Sequence, residues 1–106
     1  MPKKHYKILI PRSVEISLEQ QIDYITHEQH SPTIALEWLE GLVGAIESLA
    51  EFPDRCAIAP ENFHIRSGSK FVIRHLIYKK TFRVIFVVIK NEVRILSVKH
   101  AARKRL

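Results

Sequence analysis

The chain has 106 residues, of which 46% are hydrophobic and 26% are charged. This length predicts one domain, residues 1–106, and the composition excludes a disordered or fibrous chain. The apolar run at residues 8–10 is too short for a signal peptide, and none approaches the roughly 20 residues of a membrane span. The single cysteine, Cys56, cannot form an internal disulfide. A cytoplasmic protein without membrane association is therefore expected.

The formal net charge of +6 is divided unevenly along the chain. Residues 13–62 hold ten acids and one base, Arg55, whereas residues 63–106 hold twelve Lys and Arg and one acid, Glu92. This asymmetry predicts an anionic partner for the basic part, either a nucleic acid or an acidic protein segment. The alternative is a fold with mixed, solvated faces.

The first two predicted elements are a strand and a helix. The strand is the short apolar run at residues 6–10, which Pro11 ends. The helix covers residues 14–29, because apolar side chains recur there at helical spacing, at Leu18, Ile22 and Ile25. Tyr24, on the same helix, is interpreted as a core or hairpin-seam residue.

A second helix is predicted from the pair Ser31 and Pro32, an N-cap followed by a proline in the first helical turn. It carries an apolar stripe that includes Trp38, and it ends before Pro53. Because the connection between the two helices is so short, they form an antiparallel helical hairpin.

Residues 53–70 are irregular, and a loop of that length is unusual in a compact domain. We expect part of it to pair as an edge strand, with residues 63–66 as the candidate. Three strands follow at residues 71–78, 81–89 and 92–98, joined by connections short enough for antiparallel hairpins.

The middle strand of these three is apolar on both faces apart from Arg83. It should therefore be central and covered on both sides, by the helical hairpin on one and by a loop, the tail or a second protein on the other. The predicted fold is a two-layer α+β domain of order β-α-α-β-β-β, with the hairpin on a mainly antiparallel sheet.

Four stretches resemble the RelE/ParE superfamily of bacterial type II toxins, and the second and last are closer to the ParE branch. They are LEQQIDYI, ALEWLEGLVGAIESLAEFP, RHLIYKKTFRVIF and SVKHAAR. The resemblance implies a small basic toxin, of the kind that acts in plasmid stabilisation, neutralised by a cognate antitoxin that is small and acidic. Either a homodimer or a toxin–antitoxin hetero-oligomer fits this expectation.

The two branches imply different targets. ParE-like members inhibit DNA gyrase and lack the known catalytic set, whereas RelE-like members are ribosome-dependent ribonucleases that cut messenger RNA. A member that has lost toxicity is a third reading. The resemblance leaves open whether this chain is an enzyme, favours a non-enzymatic protein, and implies no cofactor and no metal.

The resemblance singles out Arg74, Arg83 and His100 as the catalytic set of a ribonuclease. The same three residues, with Lys99 and Arg103, are the candidates for binding a nucleic acid or the target protein. For Arg83, a phosphate contact competes with a structural pairing to a carboxylate, because a lone cation on an apolar strand face needs an anion.

Two departures from the ribonuclease pattern favour the ParE reading. Leu76 stands where the nuclease branch places a second strand cation, and the tail after His100 contains no tyrosine. The cations of the tail are expected to add only charge, with binding that falls steeply as salt rises.

Overall fold

The computed structural model describes residues 5–64 and 71–100. Its strands and helices are, in chain order, β1 (Lys7–Leu9), α1 (Arg12–Gln29), α2 (Pro32–Glu47), β2 (Ala57–Ile58), β3 (Ile73–Tyr78), β4 (Phe82–Ile89) and β5 (Glu92–His100). Three short 3₁₀ turns lie at Ser48–Ala50, Pro53–Arg55 and Pro60–His64. Within the described ranges, neither helix has the length and hydropathy needed to cross a membrane.

The two helices pack on one face of a five-stranded sheet with the order β1-β5-β4-β3-β2, which confirms the predicted α+β fold. Strands β2 to β5 pair antiparallel, and β1 pairs parallel with β5. We call the face that packs on the helices the inner face and the opposite one the outer face. A bulge at Ile85/Phe86 shifts the register between β4 and β5.

The edge strand expected in the long loop is present but lies elsewhere than predicted, so the full order is β-α-α-β-β-β-β. It is Ala57–Ile58, whereas residues 63 and 64 belong to a 3₁₀ turn and residues 65 and 66 lie outside the described residues. The Ala59 N–H donates to the Ile73 carbonyl at 2.8 Å, but Pro60 has no N–H with which to continue the ladder. The strand therefore ends after two residues.

Helix α2 begins as its sequence predicts. The Ser31 hydroxyl accepts a hydrogen bond from the Ile34 N–H at 3.3 Å, and Pro32 is the first helical residue. The predicted burial of Trp38 is confirmed, since it is 5% exposed. Tyr24 is not a core residue, since it is 46% exposed and falls off the half-buried stripe of α1 formed by Leu18, Ile22 and Ile25. It lies beside the hairpin, the other position predicted for it.

An aromatic seam joins α2 to the inner face. The Trp38 ring lies 4.9 Å from the Phe82 ring and 6.0 Å from the Tyr78 ring, both edge-on. The buried Tyr78 hydroxyl donates to the Trp38 carbonyl at 2.7 Å. A Cβ at Gly41, one helical turn further on, would overlap that hydroxyl. Helix α2 can approach the sheet this closely only because position 41 has no side chain.

We expect Gly41→Ala to lower the free energy of unfolding by about 1–3 kcal/mol, since the new methyl must displace Tyr78 from its hydrogen bond. The matched control is Gly44→Ala on the same helix, where a Cβ meets nothing within 4 Å. It should raise stability by about 0.5–1 kcal/mol through helix propensity. Urea denaturation measures both. Equal stabilisation by the two alanines would contradict the close approach at Gly41.

Candidate functional site on the outer face of the sheet

Arg83 projects from β4 onto the outer face, where its cross-strand neighbours are Ile77 on β3 and Lys99 on β5. Further along the same face of β4, Ile85 is 3% exposed and Val87 is 7% exposed. Burial of this second face confirms that β4 is covered on both sides. The Arg83 side chain itself is only 19% exposed, so its charge needs a partner nearby.

Glu61, on the 3₁₀ turn Pro60–His64, supplies that partner. Its two carboxylate oxygens accept from the two terminal nitrogens of Arg83, with Nη1–Oε1 at 3.1 Å and Nη2–Oε2 at 2.6 Å. This fork geometry is the strongest form of an arginine–carboxylate contact. The loop thereby covers part of the outer face, and Arg83 has the carboxylate pairing that was one of its two interpretations.

Lys99 and His75 complete what we call the Arg83 cluster: Arg83, Glu61, His75 and Lys99. The Lys99 Nζ lies 3.4 Å from Glu61 Oε2, and the His75 Nδ1 lies 2.9 Å from Arg83 Nη1. Because a guanidinium only donates, Nδ1 acts as the acceptor, which makes the ring neutral with its proton on Nε2. The cluster thus holds two full positive charges and one negative charge.

The titration of these groups follows from their contacts. The hydrogen bond from Arg83 lowers the pKa of Glu61 from its usual 4.5 to about 2, and the same hydrogen bond raises the pKa of Arg83. Burial, followed by the Arg83 charge, lowers the pKa of His75. At neutral pH the carboxylate is therefore ionised and the imidazole is neutral.

Arg74 lies apart from this cluster. It pairs with Phe86 of β4 on the inner side of the sheet, and its Nη1 donates to the Cys56 carbonyl at 2.7 Å, beside β2. Leu76 lies on the same face opposite Val84, half-buried against the core. A cation at position 76 would have to enter that core.

His100 also belongs to the inner face, opposite Phe82, and its ring is 4.7 Å from the Phe82 ring. Since Phe82 and Phe86 are four residues apart on β4, His100 and Arg74 are separated by about 13 Å along the strand direction. Arg103 lies outside the described residues. Of the four candidate residues that the structure describes, it brings together only Arg83 and Lys99.

A groove of about 400 Å³, the hairpin groove, opens at the end of the helical hairpin next to the start of β4. Its apolar residues include the partly exposed Tyr24 and Ile34. Its charged rim is mixed rather than purely basic. The lining is Gln21, Tyr24, Ile25, Glu28, Gln29, Ile34, Glu37, Trp38, Lys79, Thr81, Phe82 and His100.

Sequence reasoning missed Glu61, although a signal for it was present. A lone arginine on an apolar strand face demands an anion, and the loop before β3 offers only Asp54 and Glu61. Nothing in the sequence indicates which of the two folds over the sheet, because Glu61 is 22 residues from its partner.

The Arg83–Glu61 pair predicts an acid-dependent loss of stability. Because the folded-state pKa of Glu61 is depressed, its contribution is fully present above about pH 4.5 and disappears as the pH falls to about 2. We expect Glu61→Gln to flatten the fall in unfolding free energy across this window. Glu92→Gln, which removes a carboxylate from the more exposed pair with Arg94, is the control and should keep the Glu61 contribution. An unchanged slope in Glu61→Gln would contradict the ion pair.

Two comparisons with known proteins match this chain: a solved structure shares its fold, and a family model gives its family. A structure from a chromosomal ParDE toxin–antitoxin system of P. aeruginosa superposes with a TM-score of 0.70, at 19% sequence identity, over 92% of this chain and 97% of that one. No curated protein matches the sequence significantly. The family described as the ParE toxin of the type II toxin–antitoxin system parDE matches residues 8–105. The chain therefore belongs to the ParE toxin family of type II toxin–antitoxin systems.

Proposed function

We propose that this chain arrests bacterial growth by inhibiting DNA gyrase and that a small acidic antitoxin neutralises it in the cytoplasm. The family match over residues 8–105 supports the toxin–antitoxin part. The observation that carries the choice of target is the separation of the three residues that a ribonuclease of the RelE type would use. Arg83 lies on the outer face, whereas Arg74 and His100 lie on the inner side of the sheet.

A ribonuclease that uses the 2′-hydroxyl needs a base, an acid and cations around one phosphate. Arg74 is engaged by a backbone carbonyl, and about 13 Å of strand separates it from His100. Leu76 is part of the packed inner face. A binding protein that stops another enzyme does not require these groups to converge, and this favours gyrase inhibition over messenger RNA cleavage.

For the surface that meets the target, we propose the end of the sheet at which β5 finishes. Arg83 and Lys99 lie next to each other there on the outer face, and His100 follows on the other face. Arg103 follows His100 by three residues in the sequence. Arg74 adds a further charge where β3 pairs with β2. These five residues are the target-binding candidates, acting through charge without a metal or a cofactor.

For the antitoxin, we propose the hairpin groove as the docking site. The solved relative comes from a ParDE system, in which the toxin has an antitoxin partner. Tyr24 and Ile34 are 46% and 43% exposed at the groove, which leaves apolar area for an incoming segment. Lys79 on the rim can pair with an acidic residue of that segment.

The decisive experiment expresses the chain in bacteria and identifies the process that stops first. Gyrase inhibition predicts induction of the DNA-damage response with intact messages. In vitro, it predicts accumulation of cleaved plasmid with purified gyrase. Cuts in translated messages that recur with the codon period and disappear in Arg83→Ala or His100→Ala would overturn the proposal in favour of the ribonuclease. Absence of growth arrest despite soluble expression would overturn it in favour of lost toxicity.

The same strains test the antitoxin site. Ile34→Glu places a charge in the hairpin groove, away from Arg83 and Lys99 on the outer face. It should weaken the rescue of growth by the antitoxin, and a pull-down titration should show an antitoxin affinity at least tenfold lower. Leu36→Glu is the matched control, since Leu36 is 56% exposed on the same helix and is not part of the groove lining. Equal rescue of both variants would place the antitoxin elsewhere.

A further inference from the structure

The Arg83 cluster has an unusual charge balance for a purely structural ion pair. Two cations, Arg83 and Lys99, converge on the single carboxylate of Glu61. A strand arginine that needed only neutralisation would need one carboxylate and no second cation. With two cationic donors around one carboxylate, the cluster has the donors of an anion-binding site. In the free protein the anion that they bind is the side chain of Glu61.

The backbone of the Glu61 turn is held by other residues. The Ala59 N–H donates to the Ile73 carbonyl at 2.8 Å, and the Asn62 side-chain oxygen accepts from the Ile73 N–H at 2.9 Å. A further bond joins the Asn62 N–H to the Ala59 carbonyl at 2.9 Å. The Glu61 side chain, 28% exposed, can therefore rotate out to solvent without detaching the turn from β3.

The charge of the described residues is segregated between the two layers. Helices α1 and α2 carry seven acids against one base, Arg12. The outer face of β1, β4 and β5 carries Lys7, Arg83, Arg94 and Lys99, matched only by Glu92 and by Glu61 from the loop. A polyanion is therefore attracted to the outer face and repelled by the helices.

We propose that Arg83 and Lys99 form a phosphate-binding site for a nucleic-acid backbone, and that Glu61 occupies it in the free protein as a built-in competitor. A phosphate takes the same forked donors of Arg83 that Glu61 uses. The row of cations across β4, β5 and β1 matches the repeated charges of a nucleic-acid strand, whereas one peptide carboxylate would need a single cation. This inference goes beyond the proposed function, because it holds for the isolated protein whatever the target is.

The test is the affinity of the purified protein for a fluorescently labelled oligothymidylate, followed by anisotropy. We expect Glu61→Gln to bind about tenfold more tightly than the unchanged chain, because the competing charge-assisted hydrogen bonds are lost. Glu92→Gln adds the same net charge on the same face and should gain less than about threefold, as the pair that it breaks is more exposed. Equal gains would reduce the effect to net charge and overturn the proposal.

A second pair of variants does not depend on how well Glu61→Gln folds. Lys99 is 54% exposed, so Lys99→Gln leaves the core intact and should lose several-fold in affinity. Lys90→Gln, in the exposed turn at the opposite end of β4, removes the same charge and should lose less. Equal losses would overturn the site. A further contrary outcome concerns polyglutamate as a competitor. If Glu61→Gln raised the affinity for polyglutamate but not for oligothymidylate, the site would be one for an acidic peptide and the proposal would be overturned. Neither assay contains gyrase, so both are independent of the toxin's target.

Discussion

The structure depends on one constraint, which is that β4 must be covered on both faces. Its inner face presents Phe82, Val84 and Phe86, all buried, and its outer face presents Ile85 and Val87 beside a single arginine. No single layer can satisfy this pattern. The helical hairpin covers one side through the aromatic seam, and the other side receives the loop that carries Glu61.

The contact that covers the outer face at Arg83 is an ion pair, whereas the inner face is covered by apolar side chains. A partly buried ion pair contributes little net stability, although removing either partner alone is costly because the other charge is left behind. Such a pair is stable in the free protein and is also open to exchange, since another anion can replace the carboxylate without leaving Arg83 unpaired. Arg83 can therefore pair with Glu61 in the free protein and with a phosphate when a polyanion is bound.

The sequence predicted the elements well where local chemistry decides them. Helix α2 begins at Pro32 after the Ser31 cap, as predicted. The bounds of β1, β3, β4 and β5 lie within two residues of those predicted. The position of β2 depended on a hydrogen bond to Ile73, 14 residues away from Ala59, which no local pattern records. Likewise, nothing local separates Tyr24, which is 46% exposed at the hairpin groove, from the buried Trp38, and the sequence assigned both to the core or the hairpin seam.

The candidate site was harder to predict because it depends on register. Alternation alone indicates that Arg74 and His75 point to opposite faces, but whether either shares a face with Arg83 follows from the pairing of Ile77 with Arg83 across the β3–β4 turn. On the β5 side, the bulge at Ile85/Phe86 alters the pairing again. The four described candidates therefore separate into one adjacent pair on the outer face, Arg83 and Lys99, and two residues on the inner side, Arg74 and His100.

The most direct test of the central claim, that Glu61 occupies the Arg83 site in the free protein, is a double-mutant cycle. The unfolding free energies of the unchanged chain, Glu61→Gln, Arg83→Gln and the double variant are compared at neutral pH in low salt. The forked contact predicts a coupling free energy of about 1–3 kcal/mol between the two positions. Effects that add to within about 0.3 kcal/mol would contradict it, because residues that do not interact show no coupling.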